Sequence, residues 1–164
     1  MELNKIFEER FSVRSFKDAP VEEEKIQELL KAAQLAPTAH NNQPQRIFVL
    51  KSAEAIEKIR ACTKCAFNAP LVMLVCANTD EVWHNRFSGA VSSETDAAIV
   101  TTYMMLKAWD MGLGSCWVHY FDPVKLREAF DLPENLTPYN LLPLGYAADD
   151  AAPIPMHFEN KAIE

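Results

Sequence analysis

No stretch of the 164-residue sequence approaches the ~20 consecutive apolar residues needed to span a bilayer. Met1-Glu2-Leu3-Asn4-Lys5 lacks the basic and then apolar layout of a signal peptide, so a cytoplasmic location is expected. Basic charge is also short. Sixteen Lys and Arg against 23 Asp and Glu leave a formal net charge of −7, which argues against general affinity for nucleic acid or an anionic membrane. Any anion bound here must be held by a few placed residues. The sequence has no internal repeat, no convincing catalytic triad and no cluster of metal ligands. It has only four cysteines, and in a reducing compartment these are not expected to pair as disulfides. Cys76 and Cys116 sit in apolar runs and read as buried strand residues. Cys62-Thr63-Lys64-Cys65 is a lone C-x-x-C, without a second pair for zinc or the setting of a thioredoxin-like motif. A metal or redox role for that pair is the minor alternative.

What is present is enough apolar residue, 49%, for one domain spanning 1–164 with a real core. Residues 3–10 have helical spacing and 11–16 read as extended. Residues 21–35 repeat the helical pattern, with Ile26, Leu29, Leu30 and Ala33 on one face, acidic residues in the first turn and Pro37 as the stop. A strand is expected over 46–50, a short helix over 53–61 and a doubly covered, central strand over 71–77. Residues 78–92 read as a long surface loop. Ser93-Glu94-Thr95-Asp96 resembles a capping box opening a helix to about residue 111. That helix is apolar nearly all round, which demands burial on more than one side, by its own sheet and by a second subunit. A strand over 115–120, a helix capped by Asp122-Pro123 and running through 130, and a last strand over 139–146 complete the pattern. The proline-rich tail after Gly145 is expected to run across a surface without a compact element. Alternating helices and strands predict an α/β or α+β sheet covered on both faces.

Two short stretches carry the chemistry. In Arg10-Phe11-Ser12-Val13-Arg14-Ser15-Phe16 the alternation of an extended segment turns Arg10, Ser12 and Arg14 the same way, and guanidinium forks match phosphate. In Pro37-Thr38-Ala39-His40-Asn41-Asn42-Gln43-Pro44 three carboxamides between prolines suit a ligand edge of mixed donors and acceptors, such as the pyrimidine side of a flavin. A solvated basic turn and an ordinary Asn-rich turn are the plain alternatives.

With these motifs, followed by Gly112-Leu113-Gly114-Ser115-Cys116-Trp117-Val118 and Leu142-Pro143-Leu144-Gly145-Tyr146, the chain resembles the nitroreductase family of FMN-dependent oxidoreductases in a compact form. The resemblance runs from about residue 5 to 161. It implies an α+β fold, a three-layer α-β-α sandwich with a mixed central sheet. It also implies a homodimer with two FMN sites at the interface and a domain-swapped C-terminal arm, about residues 147–164. By motif, Arg10 and Ser12 hold the FMN phosphate, with Phe11 between them, and Arg14 lies near the flavin N1 and O2 edge. Pro37, Thr38, Ala39, Asn41 and Gln43 contact the flavin or its ribityl chain, largely from the other subunit. Trp117, Val118, His119 and Tyr120 offer backbone amides to flavin N5, with His119 and Tyr120 the nearest matches. Gly145 admits the phosphate end, and Lys161 replaces a phosphate cation where Phe11 stands in place of a basic residue. The helical lid of longer members is expected to be absent, leaving residues 78–92, with Trp83, His84, Arg86 and Phe87, on the substrate side.

The implied activity is transfer of a hydride from NADH or NADPH to FMN and reduction of a second substrate, a nitroaromatic, a quinone or a similar small molecule, in a ping-pong cycle. The cofactor does that chemistry, so no side-chain triad is required. A non-catalytic flavin-binding or flavin-storage protein is the alternative.

Overall fold

The computed structural model describes residues 2–163. Its helices are α1 (Leu3–Glu9), α2 (Glu23–Leu35), α3 (Ala53–Cys62), α4 (Ser93–Asp110) and α5 (Pro123–Ala129). Its strands are β1 (Gln45–Leu50), β2 (Leu71–Asn78), β3 (Gly114–Ser115) and β4 (Leu136–Gly145), in the order β1-β2-β4-β3. These follow from local chemistry. Glu23 and Glu24 sit in the first turn of α2, where negative charge complements the helix dipole. The Asp122 carboxylate accepts from the amides of Val124 and Lys125, with Pro123 at the first helical position of α5.

The four strands pair antiparallel, and the parallel component of the sheet is a bridge between Ser12 and Ser115. β2 is central and buried through Ala77, as its unbroken apolar run requires. Its side chains alternate between two cores. Met73 and Val75 join Ile26, Leu29, Val100, Met104, Leu142 and Leu144 under α2 and α4. Leu74 and Cys76 join Ile56, Ile59, Leu126 and Leu141 under α3 and α5.

Four expectations are corrected. The strand expected over 115–120 is broken: the Cys116 amide donates to the Pro143 carbonyl at 3.1 Å, and Pro143 has no N–H to return the bond. Pairing resumes only at Val118, which exchanges bonds of 2.8 and 3.0 Å with Leu141. The capping box is shifted, because Ser92 is the N-cap of α4 and its hydroxyl donates to the Asp96 carboxylate at 2.7 Å. β4 starts earlier, at Leu136, and absorbs Pro138 at an irregularity in its register with β2. The tail is not featureless, since Pro155–Phe158 forms a 3-10 turn.

The tail begins on its own chain. Phe16 bridges Ala147, the Lys17 amide donates to the Tyr146 carbonyl at 2.8 Å, and the Lys17 ammonium meets Asp149 at 2.6 Å. One side of α4 is buried by the sheet and α2. Its other side leaves Tyr103 41% exposed, beside a shallow apolar cavity of about 360 Å³ shared with Leu3, Leu35 and Leu106. Among the described residues no helix is long and apolar enough to cross a membrane.

Candidate functional site

The arginine stretch is an extended strap fixed at its middle. Val13 is fully buried, and its amide donates to the Ser115 carbonyl at 2.9 Å. A Cβ on Gly114 would lie 2.7 Å from Val13 Cγ2, so only glycine lets the strap sit this close. With Val13 turned inward, Ser12 and Arg14 turn outward. Among the described residues the Arg14 guanidinium donates only to the Ser12 carbonyl, at 3.1 Å, and the Phe11 and Trp109 rings pack edge to face with centroids 5.5 Å apart. Phe11, Ser12 and Arg14 line a cavity of about 150 Å³ with Pro153, Ile154, Met156 and His157. Arg10 is half-buried at the C-cap of α1, beside this cavity in sequence but not part of its lining.

The tail therefore reaches the strap, but through a residue that sequence reasoning missed. The turn at Pro155–Phe158 brings in His157, whereas Lys161 is exposed and lines no part of the cavity. No local motif marks His157. Gly145 also has a different reason to exist: a Cβ there would meet Pro70 Cδ at 2.8 Å, so its space is filled by protein and not held open for a ligand.

The carboxamide loop is strained and anchored. His40, Asn41 and Gln43 have φ of 56°, 55° and 50°, a region that residues with a side chain rarely adopt and that costs of order 1–3 kcal/mol each. Asp96, only 1% exposed, accepts from the Ala39 amide at 2.8 Å; Asn42 donates to the Glu81 carbonyl at 2.9 Å; Thr38 accepts from the Gln43 amide at 3.0 Å. Asn41 and Gln43 are left exposed, joined by a 3.2 Å hydrogen bond, with Pro37 exposed and Thr38 and Ala39 half-buried.

These two stretches do not meet within one chain. The loop is tied to Asp96 near the start of α4 and the strap to Trp109 near its end. At a rise of ~1.5 Å per residue the anchors stand about 20 Å apart along the helix.

Between them runs the edge after β3. Because Cys116 and Val118 donate to β4, the alternating geometry of an antiparallel edge turns the amides of Trp117 and His119 outward. The Val118 amide is spent on Leu141, so Val118 is corrected from the list of amide donors. Tyr120 is 77% exposed, and its carbonyl accepts from the Thr63 hydroxyl at 2.5 Å. Tyr120 also borders a cavity of about 450 Å³ shared with Arg60, Cys62, Thr63 and Lys64. Behind the edge lies a second omission of the sequence reading. Asn140, 2% exposed, accepts from the Trp117 indole at 2.7 Å and contacts His119 at 3.3 Å. Its one signal was a carboxamide in an otherwise apolar strand.

All four cysteines are free thiols and pack in or against the core under α3 and α5. Burial pushes Cys76 up to about 12, against the pull of Arg127. Burial also raises Cys116, opposed by the Arg14 charge and aided by Cys65, and raises Cys62, aided by Asp122. Thiolate is the reactive form, so these three stay protonated and inert at neutral pH. Titration of the native protein with a thiol reagent at pH 8 should release about one equivalent quickly, from Cys65, and the other three only on unfolding. Among the described residues no group of three His, Cys, Asp or Glu is placed to hold a metal ion.

The model of the nitroreductase family matches residues 7–75 and 63–146 of the chain. A nitroreductase family protein from Clostridium difficile 630 is 39% identical, superposes with a TM-score of 0.92, and the match covers 99% of this chain and 94% of that one. An FMN-dependent nitroreductase from Clostridium difficile R20291 is 26% identical with a TM-score of 0.79, over 98% of this chain and 97% of that one. A protein from Thermus thermophilus described as an NADH dehydrogenase is 30% identical over 88% of this chain and 86% of its own length.

Proposed function

The chain belongs to the nitroreductase family, and from that premise we propose that it is an FMN-dependent oxidoreductase that oxidises NADH or NADPH and reduces a second small molecule. The observation that carries the reading is the strap cavity, where a guanidinium, a hydroxyl and the tail imidazole converge at one end of a sheet edge with outward amides. Those donors suit an anionic group joined to a flat, hydrogen-bonding ring. Relatives named for FMN and for NADH support the same assignment.

In this reading Arg10, Ser12 and His157 hold the phosphate and Arg14 brings a fixed positive charge to the ring. The outward amides of Trp117 and His119, with Tyr120 beside them, orient the ring at the edge. When bound, FMN supplies the two-electron transfer between nicotinamide and second substrate. Pro37, Thr38, Ala39, Asn41 and Gln43 stand too far from the strap to serve its cofactor in the same chain, so they serve that of a second copy. The exposed apolar face of α1, α2 and α4 around Tyr103 is the surface that copy covers. Residues 159–163, exposed beyond the tail turn, extend over it. Nicotinamide and acceptor would then occupy one site in turn, which is a ping-pong scheme.

Two measurements test the reading. Anaerobic addition of NADH or NADPH should bleach the bound flavin quickly; a protein that takes up FMN but keeps its colour with both nucleotides is a binding or storage protein. FMN should also bind more tightly than riboflavin, because only FMN carries the phosphate. His157→Ala should cut that preference by about tenfold, the value of one charge-assisted hydrogen bond, while Lys161→Ala leaves it unchanged. Equal affinities for FMN and riboflavin would refute the assignment of the strap cavity.

A further inference from the structure

The edge segment ends in a side chain that the two-electron step does not use. Resting on the oxidoreductase reading above, we propose that His119 is a catalytic proton donor, delivering a proton from Nε2 to an acceptor such as a quinone bound in the cavity the imidazole lines.

The tautomer follows from the hydrogen bonds. An indole nitrogen can only donate, and Trp117 Nε1 lies 2.7 Å from Asn140 Oδ1, which makes that atom the carbonyl oxygen. The other end agrees. The Thr101 hydroxyl gives its proton to the Ala97 carbonyl at 2.7 Å, so toward Asn140 Nδ2, at 3.1 Å, it can only accept. His119 Nδ1 lies 3.3 Å from the same Asn140 oxygen and must therefore carry hydrogen to bond it. Nε2 is left as the site that takes up and releases a proton. Asn140 is 2% exposed, so its end of this arrangement is shielded from water.

The imidazole lines a cavity of about 280 Å³ with Glu94, Phe121 and Tyr139, and it lies 6.4 Å from the Phe121 ring, centroid to centroid. Tyr139 is a poor rival as donor, since its hydroxyl proton is given to Ser93 at 2.8 Å. His119 is itself exposed, so Nε2 exchanges with solvent. Its own amide is one of the two turned to the open edge, so the same residue borders both the cavity and the proposed ring site.

The balance requires such a donor. For a quinone Q the reaction is Q + NAD(P)H + H⁺ → QH₂ + NAD(P)⁺. The nicotinamide C–H bond breaks and supplies two electrons and one proton; the second O–H bond forms with a proton from outside the nucleotide. His119 Nε2 gives that proton and is reprotonated by water.

His119→Gln retains the main-chain amide and removes the proton. With a water-soluble quinone its turnover should fall tenfold or more. With ferricyanide, a one-electron acceptor that takes no proton, the same variant should lose far less. Equal losses with both acceptors would overturn the proposal and make His119 a positioning residue for the ring. A readout independent of turnover is the ¹⁵N spectrum of the histidines in the cofactor-free protein. His119 should be in the Nδ1–H form and lose that bias in Asn140→Leu; an Nε2–H form in the parent protein would overturn the proposal. A parent protein that reduces neither acceptor would overturn the oxidoreductase reading along with it.

Discussion

Replacing Arg14 with alanine is expected to weaken FMN binding between ~10-fold and ~150-fold, corresponding to about 1.5–3 kcal/mol for a hydrogen bond to a charged group. The fold should not notice. Arg14 is exposed, and among the described residues its guanidinium donates a hydrogen bond only to the Ser12 carbonyl two residues away. The strap is held instead by Val13, through its burial against Gly114 and its bond to Ser115. Thermal melting and circular dichroism should therefore match the parent protein while flavin titration does not. Arg14→Lys should recover part of the affinity, since it restores the charge without the planar fork. An unchanged affinity in Arg14→Ala would remove the strap from the site.

The largest loss of stability tied to function is expected at Asp96. Its carboxylate accepts from both the Ala39 amide and the Ser92 hydroxyl in a position 1% exposed. Asp96→Ala orphans both donors, at about 2–3 kcal/mol in total. A chain of this size should then melt about 5–10 °C lower. Flavin binding should fall by more than the stability loss explains. The positive φ values at His40, Asn41 and Gln43 are held against their own preference, and Asp96 is the clamp at the start of that loop. Asp96→Asn retains the accepting oxygen toward Ala39 and should recover most of both effects. Melting and titration of the two variants side by side separate clamp from charge.

Much of this was legible in the sequence. The apolar run of β2, the cap at Asp122, the stop at Pro37 and the order of the helices all rest on local signals, and the structure has them within a few residues. The strap and the carboxamide loop were singled out by donor types framed by helix stops, and their binding roles stand as proposals. What escaped depends on partners distant in sequence. The break after β3 is set by Pro143 on the neighbouring strand, 27 residues on from Cys116. Asn140 reads as an oddity in β4 until Trp117, His119 and Thr101 surround it. Lys161 was placed at the phosphate by the family resemblance, whereas the turn at Pro155 brings His157 to the cavity. Gly145 was placed at the phosphate end by the family resemblance, and its packing against Pro70 is invisible along the chain.

The site is argued to need the strap of one chain and the carboxamide loop of another, and mixed dimers test this directly. One parent carries Arg14→Ala. The other carries Asn41→Gly and Gln43→Gly, which the positive φ values tolerate. Each should bind FMN weakly alone. After reversible dissociation and random re-pairing in equal amounts, half the dimers are mixed, and each mixed dimer has one site with both lesions and one with neither. About a quarter of all sites should then regain parental affinity and be bleached by NADH or NADPH. A mixture that titrates only as the sum of its two weak components would contradict a site shared between chains.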